Sequence, residues 1–92
     1  MKNSILIEAA RLVDGDRQQD YGHPQDDFKR IATIWSTLLE NKLNVDLTAS
    51  EVGAMMIALK LSRTAFKNKR DNWIDIAGYA HCADLCTNYK QQ

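Results

Sequence analysis

Several things are scarce in this chain, and each scarcity excludes something. The 92 residues hold one proline, four glycines and two cysteines, and twelve Lys and Arg are matched by twelve Asp and Glu. So little proline and glycine excludes collagen-like and low-complexity architectures. A formal charge of zero argues against general nucleic-acid binding, which needs a basic excess. No apolar run reaches the roughly 18 residues of a membrane-spanning helix, so no membrane partner is expected. Glu8 and Arg11 break the first apolar stretch, which therefore lacks a signal-peptide pattern. Cys82 and Cys86 are four apart, one turn on a helix, and make a poor staple. The expected setting is a reducing cytoplasm. Gly-rich phosphate loops, nucleophile elbows and zinc-finger spacings are missing too.

What is present is 45% hydrophobic residues arranged in helical periods. The pattern predicts an all-α, four-helix bundle-like single domain over 1–92, with helices at about 3–14, 24–43, 49–66 and 71–88. Asn3 or Ser4 caps the first, Ile5, Leu6, Ala9, Leu12 and Val13 form its stripe, and Gly15 is its expected stop. Pro24 suits the first turn of the second helix, and Asp26 and Asp27 complement its dipole. Phe28, Ile31, Trp35, Leu38 and Leu39 form that helix's expected buried stripe. Thr48-Ala49-Ser50-Glu51 reads as a capping box opening the third helix, whose small Ser50, Gly53 and Ala54 permit a close neighbour. Asp71 opens the fourth, apolar nearly all round, as a central or interface helix would be. A chain this small buries only about 60–65% of its unfolded surface, and the apolar surplus of the fourth helix predicts a homo-oligomer.

Three groups of residues carry potential chemistry. The stretch from Gly15 to His23 is expected to be a long connection, holding Arg17, Asp20, Tyr21 and His23 beside a helix N-terminus. Such a terminus attracts anions, with Arg17 as a bidentate donor, Tyr21 as a stacking group and His23 as a donor or proton carrier. The same residues equally suit local turn bonds with Tyr21 plugging the bundle end. Asp71 and Asp75 share a helical face, and Asp75 lies within a run otherwise fit for burial. It needs a cation: Lys60, Arg63, or a metal such as Mg²⁺, for which Asp71 and Asp75 are the candidate ligands. Lys60, Arg63 and Lys67 form a basic stripe, in which Lys60 and Arg63 are the better phosphate ligands. Lys67, Lys69 and Arg70 are explained by the negative end of the third helix. His81, Cys82 and Cys86 share one helix without a second ligand pair and read as core.

The pairing of Arg17-x-x-x-Tyr21-Gly22-x-Pro24 with Asp71-x-Trp73-x-Asp75-Ile76-Ala77-Gly78-Tyr79 resembles small phage and prophage proteins of unknown function, over Arg17 to about Ala80. More distantly, the start and ending of the fourth helix resemble the last motif of MazG-like all-α nucleoside triphosphate pyrophosphohydrolases and of a phage nucleotide-modification-associated family. That resemblance implies a helical bundle assembling as a dimer or tetramer, Mg²⁺ held by acidic residues of two helices, and cleavage between the α and β phosphates. The chain departs from the enzymes in lacking their Glu-Glu-x-x-Glu cluster; its first helix offers only Glu8 and its third only Glu51.

The expectation is a phage-type protein that binds a nucleotide or a nucleotide-derived phosphorylated molecule. Its site would bring Arg17, Asp20, Tyr21 and His23 together with Lys60, Arg63, Trp73 and Asp75. Lys60 and Arg63 would meet phosphate, Tyr21 or Trp73 would stack on a base, and Asp75 would pair with a base, ribose or cation. Two rivals stand beside it: a Mg²⁺-dependent pyrophosphohydrolase, and a phage inhibitor that binds a host protein and no small molecule.

Overall fold

A computed structural model describes residues 4–87, and the architecture among them is wholly helical. The first rod is α1 (Ile5–Arg11), a π-helical segment (Leu12–Asp16) and α2 (Arg17–Tyr21), followed by α3 (Pro24–Leu38), α4 (Ala49–Phe66) and α5 (Arg70–Thr87). α5 is the central helix. It packs against α4 on one side, α1 on another and α3 across its C-terminal half. α1 runs parallel to it, with Val13 beside Gly78 and Asp14 beside His81. α4 runs antiparallel, with Lys60 beside Asp75 and Gly53 beside Ala83.

The helix starts follow from short-range chemistry. The Ser4 hydroxyl accepts from the Leu6 N–H at 3.2 Å; Asn3, the other candidate cap, lies outside the described residues. Thr48 and Glu51 close the capping box: the Glu51 carboxylate accepts from the Thr48 N–H at 2.9 Å, and the Thr48 hydroxyl accepts from the Glu51 N–H at 3.3 Å. Pro24 stands at the first position of α3. Asp71 does not cap α5, which begins at Arg70 and holds Asp71 in its first turn.

Two helix ends differ from the periodicity. The first rod does not stop at Gly15, and the expected nine-residue loop is largely helix. Instead, the Arg17 N–H reaches the Leu12 carbonyl five residues back, widening one turn into a π segment. Val13 is buried there against α5, and Asp14 meets His81, so tertiary contacts carry the helix through the glycine. The glycine that ends the rod is Gly22, the one described residue with positive φ, at 79°. In the same way α3 ends at Leu38 rather than near residue 43. Its buried stripe is Phe28, Ala32 and Ser36, while Leu38 is 76% exposed and supplies no reason to continue. The buried Ser36 hydroxyl accepts from the Leu47 N–H at 2.8 Å, pinning the returning chain against α3.

The core is built on Val13, Phe28, Ala32, Val52, Cys82 and Cys86, with Trp35, Met56 and Tyr79 packed on its margin. Both cysteines are free, buried thiols. Of the four glycines, Gly53 is the most tightly packed: a Cβ there would lie 2.8 Å from the Ala83 Cβ. No described helix is long and apolar enough to cross a membrane.

Candidate functional site

The antiparallel pairing of α4 and α5 sets Lys60 against Asp75, with Nζ 2.8 Å from Oδ2. The Lys60 side chain is only 15% exposed and that of Asp75 34%, so the pair is substantially withdrawn from water. Removing two charges from solvent is costly unless each satisfies the other. The cation that Asp75 requires is therefore Lys60 and not Arg63.

On the α1 side of this pair, Glu8, Arg11, Leu12, Asp71, Ile74 and Asp75 line an open groove of about 460 Å³. Glu8 is engaged there by the Arg70 guanidinium, whose hydrogen bond holds the Glu8 carboxyl below the usual carboxylate range. Asp71 and Asp75 thus share a groove as their spacing predicts. Among the described residues, however, no three His, Cys, Asp or Glu side chains are grouped to hold a metal ion.

The opposite side of the pair is basic. A second groove, of about 510 Å³, is lined by Lys60, Ser62, Arg63, Phe66, Lys67, Lys69 and Asn72 at the corner where α4 turns into α5. The corner is built rather than slack. The Asn72 side-chain amide donates to the Lys67 carbonyl at 3.3 Å, and the Trp73 indole N–H donates to Asn68 Oδ1 at 2.7 Å. Those bonds fix the turn and keep Trp73 at the surface, 40% exposed. Phe66 is 93% exposed. Arg63, Lys67 and Lys69 form no ion pair with a described carboxylate. Three cations without a described carboxylate partner thus stand beside an exposed ring.

The Arg17–His23 group has different work. Arg17 lies between two rings, its Cζ 5.6 Å from the Tyr21 centroid and 5.1 Å from that of Tyr79. This is a cation–π clamp from α2 to α5. His23 is the N-cap of α3, its Nδ1 accepting from the Gln25 N–H at 3.0 Å. The Tyr21 carbonyl accepts from Arg30 at 3.2 Å, and Asp20 is exposed on the last turn of α2. Tyr79 stands eight residues beyond Asp71, or about 12 Å along α5. Lys60, Arg63, Trp73, Asp71 and Asp75 gather near the α4–α5 corner, whereas Arg17, Tyr21 and His23 organise the far end of the first rod. Sequence reasoning missed Phe66 and undervalued Lys67 and Lys69, which the helix dipole alone had explained. The available signal was their density: three cations in seven residues next to an aromatic residue.

Comparison with known proteins agrees with the phage resemblance. The chain is 41% identical over 85 residues to the Gene 55 protein of Mycobacterium phage D29, covering 91% of this chain and 54% of that one. It is also 41% identical over 78 residues to the Gene 55 protein of Mycobacterium phage L5, covering 84% and 48%. The chain thus spans about half the length of these curated relatives. No solved structure matches it. A domain of unknown function, DUF6378, matches residues 4–87, nearly the whole chain, and the protein belongs to that family.

Proposed function

We propose that this protein binds a phosphorylated nucleotide or a nucleotide-derived molecule at the basic α4–α5 corner, in the service of a phage. The observation that carries this reading is the groove of about 510 Å³ in which Arg63, Lys67 and Lys69 stand without described carboxylate partners beside the exposed Phe66 ring. Guanidinium and ammonium groups meet phosphate oxygens, and the Phe66 or Trp73 ring offers a face to a base. Similarity to two phage proteins supports the setting. Holding the ligand is favoured over hydrolysing it. Glu8 and Asp75 are already occupied by Arg70 and Lys60, so the carboxylates of the neighbouring groove do not fit a Mg²⁺ site as they stand.

A thermal-shift screen with nucleoside mono-, di- and triphosphates and inorganic phosphate, each with and without Mg²⁺, tests the reading. At roughly a hundred times its Kd a ligand adds about 2.7 kcal/mol, which moves the melting temperature of so small a domain by several degrees. The expected result is a persistent, metal-independent shift that Lys67→Ala/Lys69→Ala abolishes without changing the unliganded melt. A flat screen contradicts binding. A shift that requires Mg²⁺ and decays as pyrophosphate appears would replace the binding module with an enzyme.

A further inference from the structure

The Lys60–Asp75 pair stands on the boundary between the two grooves, and each partner belongs to a different one. Lys60 lines the basic groove and Asp75 the acidic one, with Nζ and Oδ2 meeting at 2.8 Å between them. The pair is also unequal. The Lys60 side chain is 15% exposed, so its charge cannot be left to water. Asp75, at 34%, opens onto a groove that solvent enters and that Arg11 also lines. Lys60 is therefore the partner that must always face an anion, and Asp75 the one that water can receive.

Lys60 is continuous with the cations of the corner. It precedes Arg63 by about one turn of helix and Lys67 by about two, and all three line the same groove. An ammonium carries three N–H donors in a tetrahedral fan, of which one carboxylate oxygen meets one. A phosphate entering the groove therefore finds donors on Lys60. Two oxygens on one ammonium, however, lie only about 4–5 Å apart. At that separation a phosphate and a carboxylate repel, and they do so more strongly where water is partly excluded. Lys60 cannot serve both equally, so what the phosphate gains Asp75 loses.

We infer that Asp75 is an internal stand-in for the ligand's phosphate, an autoinhibitory contact on Lys60. It satisfies Lys60 while the corner is empty and yields it when a phosphate arrives, leaving its own charge to the water of the acidic groove. The inference rests on the corner being the phosphate site, and it adds Lys60 to the groups that meet the ligand. Binding is then an exchange of one anion for another on the same ammonium, which holds affinity below what the cations alone would give. A carboxylate that merely aimed Lys60 at the ligand would act with the opposite sign, because its removal would weaken binding.

Asp75→Asn tests this, because it removes the charge of the carboxylate and keeps its shape. Titrated with ADP in a calorimeter, the variant should bind about tenfold tighter than the wild type. Inorganic phosphate should also raise its melting temperature by several degrees more than it raises that of the wild type. Lys60→Met/Asp75→Asn controls for general stabilisation by salt: without the ammonium, the additional phosphate response should vanish. The wild-type chain supplies a reading that needs no variant, should Asp75→Asn not fold. Its Asp75 side-chain carboxyl ¹³C resonance should move in step with ADP saturation as the counter-ion leaves. If ADP binds the wild type but a folded Asp75→Asn binds no tighter, or if that resonance stays still at saturation, the inference falls while the corner site stands. If wild type and variant are both silent to ADP and phosphate, the corner site falls and the inference with it.

Discussion

Lys60 and Asp75 illustrate how a single pair decides between chemistry and structure. With Nζ 2.8 Å from Oδ2 and both groups largely withdrawn from solvent, each charge depends on the other. Lys60→Met alone or Asp75→Asn alone should destabilise by about 1–3 kcal/mol, because the remaining partner stays desolvated. The double change should cost clearly less than the sum, and urea denaturation of the four proteins measures the coupling. Additive losses would mean that the two groups act independently. Cys86 gives a pH prediction at the same scale. Burial, reinforced by the nearby Cys82, pushes its thiol up to about 11, against about 8.5 in an unfolded chain. The folded state therefore keeps this proton while the unfolded state loses it. Stability that is fully present below pH of about 8.5 should fall as pH rises toward 11, and Cys86→Ala should flatten that decline.

At the scale of elements, two glycines of similar appearance in sequence have opposite roles. A Cβ on Gly53 would meet the Ala83 Cβ at 2.8 Å, so Gly53→Ala should push α4 from α5 and cost about 1–3 kcal/mol. At Gly78 the nearest atom is the Val13 side chain at 3.6 Å, an ordinary contact. Gly78→Ala should be neutral or stabilise by up to about 1 kcal/mol through helix propensity. Thermal melts of the two variants should move in opposite directions, or at least clearly apart. This contrast also marks the reach of sequence reasoning. The capping box, the start at Pro24 and the buried cysteines were legible because each rests on neighbours within one or two turns. The stop at Gly15 was not, because Val13 against Gly78 and Asp14 against His81 join residues more than sixty positions apart. Once those contacts hold the helix, a glycine with negative φ is only a weak point in it. The end of α3 was hidden for a similar reason, since Leu38 and Leu39 continue a helical stripe that no partner covers.

For the whole molecule, the sequence assembled one site where the fold separates two regions. Its loop reading of residues 15–23 placed Arg17, Tyr21 and His23 next to the basic stripe. With Arg17 and Tyr21 helical, Arg17 instead clamps Tyr79, and the extended His23 caps α3. The Lys60–Asp75 alternative was legible, since a carboxylate inside an apolar run demands a cation. The corner groove was not, because its exposed aromatic residue and its cations without described carboxylate partners come together only when α4 and α5 meet. The central claim is that this corner takes a phosphorylated, base-bearing ligand. A ¹⁵N–¹H NMR titration of the chain with ADP tests it most directly. The account predicts saturable shifts at the Trp73 indole N–H and at the amides of Arg63 and residues 66–70, with little change at Arg17, Tyr21 or Gly22. Shifts centred on residues 17–22, or none at millimolar ADP, would contradict it.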